Sequence, residues 1–246
     1  MMESPRRRTV VPASRPDPLR PVPHAGRALT LGIVGGLLVI ALGLVVTHAA
    51  GWTSDELRVL QWFSSHQVPA LNTVALGIAW LFAPTEALAL TVLGTLAVLA
   101  VSRDPWRAGT FLLVVALSWG SSKVVKMIVA RPRPDGALLA HPLAIEHSAS
   151  FPSGHVCFAA ALAIGILVTM RDTRRRSRVI AIVVAGVGVV IVALSRLYVG
   201  VHYPTDVIGA IVYVPSAAAV LLWLWLDVVL PRLPRSTPGR RVAASR

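Results

Sequence analysis

Long apolar runs separated by short charged turns set the pattern of this chain. The first run, Leu29 to Val46, carries no charge. A mixed stretch follows, in which Trp52, Asp55, Glu56, Arg58, Trp62 and His66 lead into Leu71–Phe82. It reads as a loop with an interfacial or re-entrant helix, with Trp52, Trp62 and Trp80 at headgroup depth. Pro84 breaks the path, and a second run covers Thr85–Val101. Arg103, Asp104 and Arg107 form a polar turn before a third run, Ala108–Ala130. A loop over 131–152 holds Pro132, Pro134, Pro142 and Pro152. The fourth run is Ser153–Met170, the fifth Val179–Leu194 and the sixth Thr205–Leu230, with a tight basic loop over 171–178 between the fourth and fifth. Several runs approach or exceed the roughly 20 apolar residues that cross a bilayer. The fold class expected is all-α: a polytopic membrane protein with six transmembrane helices in one bundle, forming one domain over 29–230.

Composition agrees with this pattern. Of 246 residues, 55% are hydrophobic and only 14% charged, more apolar and less charged than a soluble domain. Residues 1–28 are rich in Arg and Pro and are expected to be a disordered basic arm. Residues 231–246 form a basic tail. The run at Leu29 is of spanning length, follows a long leader and has no clean small-x-small site after it, so it reads as a first span and not a secretory signal.

The net charge of +13 raises the question of a nucleic-acid partner. The placement of the charges answers it. Eighteen of the 24 basic residues lie in the arm, the 102–107 turn, the 171–178 loop and the tail. These segments share one side of a six-span protein, and basic residues mark the cytoplasmic side. No zinc spacing, recognition helix or aromatic-basic stripe appears, so no nucleic-acid partner is expected. Membrane lipids are. Both termini are placed in the cytoplasm, in the inner (plasma) membrane. Arg58, Lys123, Lys126, Arg131, Arg133 and Arg196 fall on the other side. Cations that break the charge bias point to function there.

Three segments on that side hold the chemistry. Lys126 precedes Arg133-Pro134 by seven residues at the end of the third span. A lysine at that depth faces protein, a cavity or the interface, and guanidinium forks match phosphate oxygens. Lys123 is three residues earlier, either a second cation of the cavity or only a neighbour; Arg131, taken by itself, reads as part of a basic lipid-facing loop. Pro152-Ser153-Gly154-His155 opens the fourth span. Ser153 suits an N-cap, the free N–H groups of a helix start attract an anion, and Gly154 permits close approach. Ser195-Arg196, His202 and Asp206 bridge the fifth and sixth spans. Four residues apart around Pro204, His202 and Asp206 suit a base and its orienting carboxylate. The acidic residues are too scattered to build a two-metal site, and no metal or cofactor is expected. The single cysteine, Cys157, reads as a small apolar helix residue. Glu86, Asp135, Glu146, Asp227 and the remaining histidines are assigned no role.

The three motifs, in this order and on one side of the membrane, resemble the type-2 phosphatidic acid phosphatase superfamily of integral membrane lipid phosphate phosphatases. The resemblance implies that His202 is the nucleophile and forms a phosphohistidine, that Asp206 orients it, and that His155 protonates the leaving group. It implies that Lys126, Arg133, Ser153, Gly154 and Arg196 bind the phosphate, in a metal-independent site on the extracytoplasmic side. The expected activity is hydrolysis of a phospholipid phosphate, such as phosphatidic acid or phosphatidylglycerol phosphate, or of a polyprenyl mono- or diphosphate such as undecaprenyl diphosphate. Phosphotransfer to a lipid or sugar acceptor would use the same residues. A non-enzymatic carrier of anionic lipids would need the arginines but not the His202–Asp206 pair. Vanadate-dependent haloperoxidases share the motifs but are soluble, unlike a six-span chain.

Overall fold

A computed structural model describes residues 25–232, which are mostly helical and contain no strand. The basic arm and tail fall largely outside these residues. Eight α-helices follow one another: α1 Ala25–His48, α2 Trp52–Ser65, α3 Pro69–Leu81, α4 Pro84–Ser102, α5 Pro105–Val129, α6 Gly154–Thr169, α7 Arg175–Val199 and α8 Pro204–Trp223. A π-helical turn, Leu224–Val229, continues α8. The helix starts follow simple chemistry. Proline occupies the first turn of α3, α4, α5 and α8, where its missing N–H costs nothing. Asp104 caps α5 by accepting from the N–H groups of Trp106 and Arg107.

Several boundaries differ from the sequence expectation. The mixed stretch forms two complete helices: α3, opened by Pro69, is the expected helix, and α2 takes the place of the expected loop, burying Glu56, Leu60 and Ser64 along one stripe. Helix α7 starts inside the basic loop, at Arg175, and runs on through Ser195 and Arg196. The link between α7 and α8 is therefore only Gly200–Tyr203. Gly200 ends α7 with φ +83, and a Cβ there would lie 2.5 Å from Leu139 Cδ1, so the position excludes a side chain on both counts. Five helices, α1, α4, α5, α7 and α8, the last with its π-helical extension, are long and apolar enough to cross a membrane. Helix α6, the expected fourth span, has 16 residues and falls short by that measure.

Helix α6 is the axis of the bundle, in contact with α4, α5, α7 and α8. Residues Val156–Ala161 are consecutively buried; a helix apolar all round is buried all round. The outer helices carry the reverse pattern. Leu31, Val101, Leu93 and Val184 are exposed, as expected of side chains meeting lipid tails. Phe151 locks the start of α6 to its neighbours. Its fully buried ring sits against Gly43 of α1 and Gly209 of α8, where an added Cβ would come within 2.6 and 2.5 Å of ring carbons. The C-terminal ends of α5 and α7 and the N-terminal ends of α6 and α8 thus meet at one end of the bundle, beside α2 and α3. At the opposite end Arg107 pairs with Asp172 at 2.9 Å.

Candidate active site

Backbone and side-chain ties draw the three motif segments together. Ser153 N–H donates to the Asp206 carbonyl at 3.1 Å, and Ser150 N–H to the Arg131 carbonyl at 2.8 Å. Lys126, in the last turn of α5, donates through Nζ to the carbonyl of Ala149 at 2.7 Å. Arg133 donates through Nε to the Ser148 carbonyl at 2.9 Å and through Nη1 to the Val201 carbonyl at 2.8 Å. The proline-framed segment after α5 is thereby fixed against both other motifs.

His202 is fully buried, with Nδ1 3.3 Å from Asp206 Oδ2 and Nε2 3.0 Å from Arg133 Nη1. Arginine has no acceptor, so Nε2 receives that hydrogen bond and the proton of the neutral ring stays on Nδ1, facing Asp206. Its pKa is pushed well below the ordinary histidine value, first by burial and then by Arg133, Lys126, Arg196 and His155. His202 is neutral at pH 7, with its free lone pair on Nε2. Burial also lowers the pKa of Arg133, against the opposing pull of Glu146 and Asp206.

His155 lies in the first turn of α6. Its Nε2 is 3.0 Å from the Ala79 carbonyl of α3 and 3.3 Å from Arg196 Nη1. The carbonyl calls for a proton on that nitrogen and the guanidinium for a lone pair, and the carbonyl contact is the shorter of the two. Ser153 holds the N-cap position but makes no capping bond through its side chain, contrary to expectation. Its hydroxyl is buried without a protein partner, as are Nε and Nη2 of Arg196. Gly154 follows, with Lys126 Cε 3.9 Å from where its Cβ would stand. Sequence-predicted Lys126, Arg133, Ser153, Gly154, His155, Arg196, His202 and Asp206 all converge here. Lys123 does not; it is exposed on α5.

Three residues without a predicted role also belong here. Glu146 bridges the two guanidinium groups, 2.7 Å from Arg133 and 3.7 Å from Arg196. Arg131 is not lipid-facing; it is buried and paired with Asp206 at 2.9 Å and Glu56 at 2.7 Å. Glu56 carried a readable signal, since it shares the spacing of buried Leu60 and Ser64 along α2. A carboxylate on a helix's inward stripe must be paired. The three acids at the site are each engaged by arginine.

A bundle of helices long and apolar enough to cross a membrane, with a cluster of cations and histidines at one end, defines the class. The chain belongs to the PAP2 superfamily, whose family model matches residues 107–230. It is 38% identical over 144 residues to phosphatidylglycerophosphatase B of Bacillus subtilis, a match covering 57% of this chain and 68% of that protein. It is 34% identical over 110 residues to undecaprenyl-diphosphatase BcrC of the same species, covering 44% of this chain and 52% of that one. The fold is similar to the crystal structure of a transmembrane PAP2-type phosphatidylglycerolphosphate phosphatase from Bacillus subtilis, with a TM-score of 0.66 and 27% identity over 84% of this chain and 98% of that chain.

Proposed function

We propose that this chain, a lipid phosphatase of the PAP2 superfamily, hydrolyses a lipid phosphate or diphosphate through a covalent phosphohistidine on His202. The observation that carries the reading is the pair of contacts on that ring, Nδ1 to Asp206 Oδ2 at 3.3 Å and Nε2 to Arg133 Nη1 at 3.0 Å, which together favour a proton on Nδ1 and a lone pair on Nε2. Arg133, Arg196, Lys126, Ser153 and the N–H groups at the start of α6 take the phosphate oxygens and stabilise the charge that develops on them. Nε2 attacks phosphorus, and the P–O bond to the leaving group breaks with its electron pair going to that oxygen. His155, as imidazolium, gives the oxygen its proton. Water then attacks phosphorus and passes a proton to His155, and the P–N bond breaks with its electrons returning to Nε2. Orthophosphate leaves and both rings are reset.

Fixed cations replace a metal in this scheme. Glu56, Glu146 and Asp206 are each ion-paired with arginine, which disfavours their recruitment as metal ligands.

We place the site on the extracytoplasmic face of six spans, α1, α4, α5, α6, α7 and α8. Arg103, Arg107 and the 171–178 arginines cluster at the far end, which supports a cytoplasmic assignment of that end. Helix α6 would extend about 24 Å at 1.5 Å per residue. A short helix suits a position inside the bundle, with its start recessed below the surface. Trp52, Trp62 and Trp80, all exposed, would lie at headgroup level. The named relatives support a glycerophospholipid phosphate or a polyprenyl diphosphate as substrate. Phosphate release by purified protein from a panel of both classes, in the presence of chelator, tests the reading. No release from any member, or release that needs added metal, overturns it.

A further inference from the structure

A second set of buried charges stands behind the nucleophile. Glu56 accepts through Oε2 from Arg131 Nη2 at 2.7 Å and from the Thr205 hydroxyl at 2.9 Å, and through Oε1 from Thr205 N–H at 2.7 Å. Arg131 Nη1 donates to Asp206 Oδ1 at 2.9 Å and to Thr205 Oγ1 at 2.7 Å. Asp206 Oδ2 meets His202 Nδ1 and also accepts from Tyr203 N–H at 2.9 Å. The Arg131 guanidinium carbon sits 4.2 Å from the centre of the Tyr203 ring, a cation–π contact. Arg131 is 1% exposed and Glu56 8%, so these charges interact with little screening.

The charge count gives the arrangement a purpose. Glu56, Arg131 and Asp206 together carry one net negative charge, next to a neutral His202. An unbalanced buried charge is costly. On the Nδ1 side of the ring this charge is met when Nε2 bonds to phosphorus while Nδ1 keeps its proton, because the ring then becomes cationic; Arg133, Lys126 and Arg196 act from the other side, where the phosphate would sit. Arg131 spends both terminal nitrogens on the two carboxylates and Thr205, which leaves neither for the phosphate. Glu56 lies on α2, outside the segment matched by the family model.

We infer that Glu56 and Arg131 are positioning residues for the hydrolysis, holding Asp206 against His202 and leaving a net negative charge on the Nδ1 side of the ring, which the cationic ring of the phosphohistidine meets. This rests on the proposed role of His202. The groups facing His202 are Lys126 from α5, Arg133 from the following loop, His155 from α6, Arg196 from α7 and Asp206 from α8, with Arg131 of the loop and Glu56 of α2 behind Asp206.

The test uses the purified full chain in detergent with dioctanoyl phosphatidic acid as probe, or the panel lipid the wild type turns over fastest. Glu56→Gln and Arg131→Gln each lower kcat by about 10–100-fold, the usual cost of losing a group that orients a catalytic one. KM stays within about twofold, because neither residue touches the phosphate. The acid limb of the pH profile moves in opposite directions. Removing the Arg131 cation lets His202 protonate more readily, so the limb moves up; removing the Glu56 anion moves it down. In an Asp206→Asn background either change costs no more than about twofold further. A raised KM with unchanged kcat, limbs that stay put, or losses that multiply in full on Asp206→Asn overturn the inference. Should a Gln variant fail to yield folded protein, Arg131→Lys decides. It keeps the charge without the two-pronged bridge, so kcat falls while the limb stays, and wild-type kcat there overturns the inference. His202→Ala run in parallel separates the two ideas. No turnover in His202→Ala with wild-type behaviour of every Glu56 and Arg131 variant defeats this inference alone. Residual full turnover in His202→Ala defeats the phosphohistidine reading beneath it.

Discussion

Arg133 donates to the Nε2 nitrogen of His202 across 3.0 Å. The cation that would hold the phosphate therefore also fixes the histidine tautomer and disfavours its protonation. One side chain links binding to nucleophile activation, and its loss should be visible in both.

The pH dependence follows from this link. His202 is held well below its ordinary pKa by burial and by Arg133. In the proposed mechanism the neutral ring attacks, so the acid limb of kcat/KM is predicted to lie below the ordinary histidine range. Arg133→Gln removes a lowering charge, so His202 stays protonated to higher pH and the acid limb moves up. Overall kcat/KM falls about 100-fold through lost phosphate stabilisation. Profiles of wild type and variant with one lipid phosphate check the sign; a limb that moves down contradicts it.

Asp206 is predicted to act through tautomer and charge. Asp206→Asn keeps the side-chain shape but removes the negative charge facing Nδ1. It lowers kcat by about 10²–10⁴-fold, by analogy with the loss of an orienting carboxylate elsewhere. Steady-state kinetics on protein that elutes as wild type in size exclusion provides the check.

Glu146 rests on the same two arginines that would grip the phosphate, 2.7 Å from Arg133 and 3.7 Å from Arg196. An arriving dianion must displace or oppose it. In Glu146→Gln, inorganic phosphate is expected to inhibit about 10-fold more strongly, the effect of removing one like charge from a half-buried site. Inhibition constants measured at fixed ionic strength test this.

Much of the site was legible because its residues come in short local spacings beside apolar runs. His202 and Asp206 are separated by one helical turn, and Ser153, Gly154 and His155 are contiguous. Such spacings survive any error in the surrounding helix boundaries. The grouping of Arg196 with the other motif residues did so, although α7 continues through it and no loop begins at Ser195. Pairings across the chain were not legible. Glu56 and Arg131 are 75 positions apart, and no local pattern joins a carboxylate on one helix to an arginine in a distant loop. Arg131 looked like a lipid-facing cation because its two carboxylate partners are set by tertiary packing. Residue type alone makes the Ser153 hydroxyl a cap, whereas in the fold it is buried and makes no capping bond. The span count met a similar limit: α6 is too short by length alone, and only its central burial shows why length matters less there.

The seat of Phe151 gives a stability prediction. In Gly209→Ala the added methyl would lie 2.5 Å from a ring carbon, so the ring or α8 must shift. Overpacking of this kind costs about 1–3 kcal/mol. The variant should melt several degrees lower in detergent. It should also lose activity, because Phe151 immediately precedes Pro152 and Ser153. Thermal unfolding followed by tryptophan fluorescence measures the first, and phosphate release the second.

The most direct measurement is rapid alkaline quench of the enzyme during turnover of a lipid labelled with radioactive phosphate on its headgroup. Phosphohistidine chemistry predicts protein-bound label that survives alkali, is lost in acid and maps to the peptide containing His202, and that is missing in His202→Ala. Label on another residue, or phosphate released at full rate by His202→Ala, would contradict it.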